Sequence, residues 1–554
     1  MVPVGHAAGG PAVLINELMA SNTKTIADPQ GQFDDWIELY NPSSTAIDLG
    51  GMYLTDDITR PQKWQIPLGQ PDLTTIGPGG FLLIWADGQS QSPGLHASFS
   101  LSADGEQVGL FTADGTLIDL VSFGRQEADV SYGRWPDGGT TWQYMPTPTP
   151  GAQNRQGMQG QVSEVVFSPH RGFYSGPIEV RLTTATAGAQ IWYTLDGNLP
   201  HTWQAYERGG GRWLGQVYTG PIKITKTTCI RAVAIKDGWL DSPVVSHTYI
   251  YPDQVIRQPP NPPGFPLTPW NGKTPDYAMD PRVVEDPKYK DYLLKGLLSI
   301  PSFCIVIPND DFFGQQKGIY ANGSARGDSW ERACSIEWID PCTGAHVGVN
   351  AGIRSHGGVG RNDVKHALRI AFRGEYGPSR FEWPIFEDTN VTAFDGLVLR
   401  SQWNYSWTGD NTACNGLGTR YADYLREAFA RDTCRDMGLL TPHARHVHLY
   451  INGLYWGLYL LSERPNEGFA SIYLGGRSED YDVLKASNSF SSSGMEVMSG
   501  DMQAWQQLFA LADKGPANAQ VYEQIKQYLD IPALIDYMLM IYYTGSRDAG
   551  ASMQ

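Results

Sequence analysis

Residues 349–377 read VNAGIRSHGGVGRNDVKHALRIAFRGEYG, and the spacing inside this stretch decides how the last third of the chain is read. From Lys365 to Arg373 the residues alternate: Leu368, Ile370 and Phe372 take one face of an extended strand, and Lys365, Ala367, Arg369, Ala371 and Arg373 take the other. One face is core; the other is cationic with small spacers. A solvated strand face carries the same pattern, so the alternation leaves both readings open. Just upstream, Ser355-His356-Gly357-Gly358-Val359-Gly360-Arg361 is a glycine-rich connection. Its amides can approach an anion closely, and it serves equally as a plain hairpin turn.

Working outward, FCIVI (303–307) is short and apolar, as a buried strand is, and ACSIEWID (333–340) with HVGVNAGIRSHGG (346–358) forms hairpin-like strands. HALRIAFR continues the sheet. A helix is expected from Thr419 to Met437, ended by Gly438, with Tyr421, Tyr424, Leu425, Ala428 and Phe429 as its apolar stripe and Asp432 within that stripe. A carboxylate there needs a partner: Arg435 three residues on, or Lys365 from the sheet. Asn452-Gly453 splits the apolar run Val447–Leu461 into a hairpin, and helices follow near 501–512 and 522–543. A sheet first and helices later is the order of a two-lobed α+β domain.

Toward the N-terminus the pattern turns to β structure. From Ala12 to Gln153 short strands are punctuated by Asp-Gly at 87, 104 and 114, and Trp36, Glu38 and Tyr40 alternate with Ile37 and Leu39 as in a half-buried strand. Glu17 and Glu38 invite a calcium or catalytic reading, but no dense carboxylate loop accompanies them, and structural roles at strand edges fit better. Val165–Tyr251 is a second β segment in which Trp192 and Tyr193 are read as packing residues. Seven prolines between Tyr251 and Trp270 make an extended strap, and a helix is expected over Lys288–Leu298.

Across 554 residues, 62 glycines, 37 prolines and only 18% charged side chains argue for turn-rich β structure and against coiled coil or disorder. A net charge of −17 disfavours nucleic acid and anionic membrane as partners. No apolar run reads as a membrane span, and no secretory signal stands in the sequence as given. The six cysteines form no metal-ligand spacing with the eleven histidines. Cys334 and Cys342 flank a turn and bridge only if register opposes them; otherwise they are free thiols.

Three resemblances organise these segments. INELMASN (15–22), DWIELYNPS (35–43) and TPTPGAQN (147–154) resemble the lamin tail domain family; IWYTLDGNLP (191–200), YTGPIKIT (218–225) and the run 229–250 look like the small C-terminal β-sandwich of chitobiase-type enzymes. Residues 250–548 resemble the CotH family, related to atypical protein kinases, through IPSFCIVIPNDDFFG (300–314), GIYANGSARGDSWERACSIEWID (318–340), the 349–377 stretch, LREAFARDTCRDMG (425–438), HVHLYINGLYWGLYLLSERPNEGF (446–469) and IDYMLMIYYTGSRDA (535–549). The expected fold is two all-β immunoglobulin-like sandwiches (11–154 and 161–251), a Pro-rich linker and helix (252–300), and an α+β atypical protein-kinase-like domain (301–554) that is incomplete at its C-terminus.

The CotH resemblance implies transfer of the ATP γ-phosphate to Ser or Thr of surface or coat proteins. It implies that Lys365 contacts nucleotide phosphates with Gly357, Gly358 and Arg361 beside them, that Asp432 partners Lys365, and that Glu463 faces the nucleotide or makes an ordinary salt bridge. Asp548, in Gly545-Ser546-Arg547-Asp548, is implied as the catalytic base, although Ser stands where the family has Asn. The family's Mg²⁺ or Mn²⁺ ligand is expected downstream of Gln554, so the chain as written is expected to be inactive. The module types imply an extracellular or cell-surface location and polysaccharide as a further partner of the β modules. A non-catalytic adhesion protein is the alternative function.

Overall fold

The computed structural model describes residues 13–90, 92–200, 214–270, 272–401, 406, 422–486, 495–515 and 517–545. The first unit is a sandwich of a six-stranded and a four-stranded sheet, with Leu14–Met19 and Trp36–Tyr40 in the middle of the larger one. Ile15, Ile37, Leu39, Leu54, Leu110 and Val121 fill the space between the sheets. The strand expected to be half-buried is covered on both faces. Trp36 packs with Met19 and Trp85 on the outer side, and Glu38 is fully buried. The closing segment does this: Gly151 donates its amide to Glu38 Oε2 at 2.7 Å, and Thr149 donates both amide and hydroxyl to Glu17. Both carboxylates are therefore structural, but they sit opposite one another on central strands and not at an edge. Burial pushes Glu38 up to about 8, ahead of the repulsion from Glu17.

The second unit pairs a three-stranded with a five-stranded sheet around Phe167, Val180, Leu182, Ile230, Ala232 and Tyr249. Tyr193 packs against that core, edge-on to Tyr218, while Trp192 lies half-buried with its indole N–H on Gln190. After one helical turn at Pro252–Val255, the proline strap carries Trp270 and Tyr277 into the third unit, where both are buried beside Phe313, Tyr320 and Trp456. The helix between strap and sheet spans Lys290–Leu297.

In the third unit the sheet closes. Strands β1 (Ser302–Val306), β2 (Arg332–Ile339), β3 (His346–His356), β4 (Ala367–Ala371), β5 (Gly396–Arg400), β6 (Ala444–Ile451) and β7 (Leu454–Glu463) form a barrel in the order β1-β2-β3-β4-β5-β7-β6. The closure comes from β6, which returns to pair in parallel with β1 (Ser302 opposite His448), whereas the other neighbours are antiparallel. Asn452 and Gly453 both take positive φ, 49° and 81°, as the two-residue β6–β7 turn requires. Inward residues such as Ile305, Ile336, Ile353, Leu368, Leu399, Leu449 and Leu461 form one core.

Outside the barrel lie α1 (Arg426–Asp436), α2 (Glu467–Leu474), α3 (Gln503–Ala512), α4 (Ala519–Ile525) and α5 (Ile531–Thr544). α1 begins at Arg426, later than expected, and ends where expected, with Gly438 at φ 89° returning its amide to Arg435. Its anticipated apolar stripe is not a buried one, since Leu425 is 59% and Phe429 52% exposed. Tyr421 lies outside the described residues. On α5, Ile535, Tyr537, Leu539, Tyr542 and Tyr543 are also exposed. Among the described residues no helix is long and apolar enough to cross a membrane. Cys334 faces Ala351 across β2–β3 and Cys342 sits exposed beyond the end of β2, so register does not oppose them and both are free thiols.

Candidate functional site

Strand alternation sorts β3 and β4 into two chemistries. Ile353, Leu368 and Ile370 point into the barrel, as does Ser355, whose hydroxyl bonds Ile319 O at 3.0 Å. Arg354, His356 and Arg369 therefore point outward. Arg354 lies directly opposite Arg369 in the β3–β4 register, a pairing of like charges that destabilises a sheet unless carboxylates or a ligand offset it. Arg354 has such carboxylates, Asp328 at 2.5 Å and Glu331 at 3.7 Å, and Arg373 shares both.

Arg369 has none. Its Nε is buried without a hydrogen-bond partner, and burial, then Arg464 and Arg354, bring the guanidinium down to about 9. Arg464, just beyond β7, is also lowered, first by burial, and no hydrogen bond or ion pair holds it among the described residues. Glu467 at the start of α2 is its largest opposing charge. His356 completes the group: burial, then Arg400, Arg361, Arg464 and Lys485, hold its imidazole down to about 3, so it is neutral. The outcome is a cationic face with two half-buried guanidinium groups that no ion pair holds among the described residues, Glu331 and Glu467 offsetting them only in part. A half-buried charge without an ion pair favours a further counter-charge, which an anionic ligand can supply.

The expected site residues fall in different places. Arg361 belongs to the cationic face, since Arg326 and Arg354 act on it. It sits in the 3₁₀ turn Val359–Asn362, and its guanidinium closes the glycine-rich connection by donating to Gly357 O at 2.5 Å and Ala325 O at 2.8 Å. Gly357 is required by its φ of 99°; Gly358, at φ −98°, precedes the turn.

Lys365 turns away from this face. Its ammonium donates to Trp456 O at 2.7 Å, lies 4.0 Å over the Trp456 ring, and is held down to about 7 by burial, with Asp276 the one charge acting on it. The expected Lys365–Asp432 pair is not formed. Asp432 is exposed and bonds Arg435 on its own helix, the partner available at i+3, and both line an open cavity of about 560 Å³ with Asp388 and Asp436. Glu463 is buried at the end of β7 and accepts from the His443 amide and the Tyr473 hydroxyl, both at 2.7 Å, so neither Arg464 nor the cationic face is its partner. Asp548 lies outside the described residues.

Arg354, His356 and Arg464 were not singled out from the sequence. The signal for the first two was available, because Ile353-Arg354-Ser355-His356 on β3 shows the same alternation as β4. Among the described residues no group of three or more His, Cys, Asp or Glu is arranged to hold a metal.

These outward groups fall within one matched segment. Residues 353–553 match the family described as CotH kinase protein. Residues 6–125 match the Lamin Tail Domain and residues 169–246 the Chitobiase/beta-hexosaminidase C-terminal domain. No curated protein matches the chain. The CotH match begins one residue before Arg354 and spans β4 to α5, whereas β1 and β2, which complete the barrel, precede it. The lamin tail match likewise ends before the strands Ser131–Arg134 and Trp142–Met145 that finish the larger sheet.

Proposed function

We propose that the CotH-matching region is an ATP-dependent protein phosphotransferase and that the outward face of β3 and β4 receives the nucleotide phosphates. The observation that carries this is the pair of half-buried guanidinium groups that no ion pair holds among the described residues, Arg369 and Arg464, beside Arg354 and the neutral His356. In such a reaction the acceptor hydroxyl oxygen bonds the γ-phosphorus, the bond from that phosphorus to the β,γ-bridging oxygen breaks, and the hydroxyl proton leaves to a base. Asp548 is the residue we assign to that proton, and a bound Mg²⁺ or Mn²⁺ would neutralise charge on the phosphate oxygens. The acceptor is a Ser or Thr on a surface protein. The arginines' part is to bind and orient the phosphates.

The test has two arms on the full chain. Unfolding temperature with inorganic tripolyphosphate, and with ATP plus Mg²⁺ or Mn²⁺, reads phosphate binding; transfer of labelled γ-phosphate to a generic acceptor protein reads the reaction. A rise in unfolding temperature with both ligands, lost in Arg369→Met, supports the phosphate site. No rise with either removes it and favours the adhesion-protein reading. A rise without transfer keeps the site and removes the phosphotransferase reading for this chain.

A further inference from the structure

The second sandwich and the barrel meet across a polar joint that is buried and built from titratable groups. Arg171, in the loop after the first strand of the sandwich, reaches Glu337 on β2 with Nε 3.3 Å from Oε1, and both side chains are almost wholly enclosed. Thr248 on the sandwich strand Val245–Ile250 donates amide and hydroxyl to the same carboxylate, the amide at 3.0 Å. Arg231 of the sandwich adds a bond to Ser335, and Asn350 of β3 donates to Val244 O at 3.0 Å. The fit is tight enough that a Cβ at Gly348 would collide with the Arg171 guanidinium.

Three imidazoles surround that guanidinium. His247, 5% exposed, accepts the Arg171 backbone amide on Nδ1 at 3.0 Å and stacks on Phe167. The His170 ring lies 5.9 Å from that of His247 and 5.2 Å from that of His346 on β3, so the cluster spans the joint. The charged and titratable groups around His247 are Arg171 and His170 from the loop, His346 from β3 and, along its own strand, Tyr249; Glu337 acts from β2 through Arg171.

We propose that this joint is a proton-operated latch, closed while His247 and His346 are neutral and released in acid. The geometry dictates the direction. An Nδ1 that accepts a backbone N–H must be unprotonated, so protonation exchanges a hydrogen bond for a clash of two donors and sets a second cation beside Arg171. Burial, then Arg171, holds His247 well below its ordinary 6.5, and the same two causes lower His346. A base depressed in the folded state contributes stability that is complete above 6.5 and is lost as the pH falls below it. Glu337, raised by burial, works in the opposite sense as the pH falls toward 4.5, but it is present in every protein compared below. The latch also bears on the phosphate face, because β3 carries His346 at one end and Arg354 and His356 at the other.

The test is amide hydrogen exchange of the full chain at about pH 7.5 and about 5.5, corrected for intrinsic rates, in the wild type and in His247→Asn. Asparagine keeps an acceptor near the Nδ1 position and cannot be protonated. Exchange in residues 169–173 and 346–350 of the wild type should rise by about tenfold per pH unit below 6.5, relative to β5 and β7, and should lose most of that dependence in the variant. Equal acid dependence in the two proteins, or no rise in the wild type, overturns the latch. If the variant does not fold, the wild-type His247 ring resonance decides: titration at 6.5 with the joint still protected refutes the proposal, and titration well below 6.5 accompanied by loss of protection supports it.

Discussion

Replacing Arg369 with methionine should make the ligand-free protein more stable while removing its response to phosphate. The guanidinium falls from an ordinary 12.5 to about 9, and at about 1.4 kcal/mol per tenfold change this corresponds to an upper bound of about 5 kcal/mol against carrying the charge. Residual solvent access and the loss of favourable contacts reduce this, so about 1–2 kcal/mol is the expected gain. The sign is that of a base depressed in the fold: the penalty is complete at every pH below about 9 and disappears only above 12.5. Methionine keeps the apolar stem that lies on the sheet and deletes the charge. Urea unfolding at about neutral pH, with and without tripolyphosphate, measures both effects. At a ligand concentration of about one hundred times Kd the wild type should gain about 2.7 kcal/mol, and Arg369→Met should gain a small fraction of that. A variant less stable than the wild type that still gains the same increment would refute the reasoning, since the unpaired charge would then be neither a strain on the fold nor a ligand contact.

Four other outcomes follow from the same geometry. Lys365→Met should leave tripolyphosphate affinity within about threefold and raise stability at neutral pH, because charging a buried ammonium brought from 10.5 to about 7 is penalised as the pH falls through that range; calorimetric titration that found binding abolished would place Lys365 back among the phosphates. Asp432→Asn should change urea stability by less than about 0.5 kcal/mol and ligand affinity not at all, since its one bridge is to Arg435 on an exposed helix face. For Glu38, raised by burial to about 8, stability of the first sandwich should fall as the pH rises from 4.5 through that value, and Glu38→Gln should flatten the curve followed by intrinsic fluorescence. Asp548→Asn should leave the tripolyphosphate-induced rise in unfolding temperature intact and remove whatever labelled phosphate transfer the wild type supports; loss of the rise as well would give it a structural role.

Local pattern carried the reading a long way where one face decides the outcome. Leu368, Ile370 and Phe372 are in the core as alternation places them, and Asn452-Gly453 turned because two adjacent positive φ values suit that dipeptide. Three things were not legible. Barrel closure depends on β6 meeting β1 over more than a hundred residues, and nothing in either strand names its partner. Glu38 was placed on a half-exposed strand because the cover, Gly151 and its neighbours, arrives from a segment more than a hundred residues away.

The third concerns the site itself. Arg369 and Lys365 lie four residues apart and share a face in any continuous strand, so sequence spacing groups them. β4 begins only at Ala367, however, and the residue two before it is free to turn. What Lys365 turns toward is Trp456, a residue of β7 that offers both a carbonyl and a ring face to an ammonium. Arg369, within the ladder, has no such freedom and is left between Arg354 and Arg464. The cation inside the strand is thus the one without a protein partner, and the cation before it is the one the fold has satisfied. The proposed phosphate recognition therefore rests on the arginines that regular structure prevents from finding a partner.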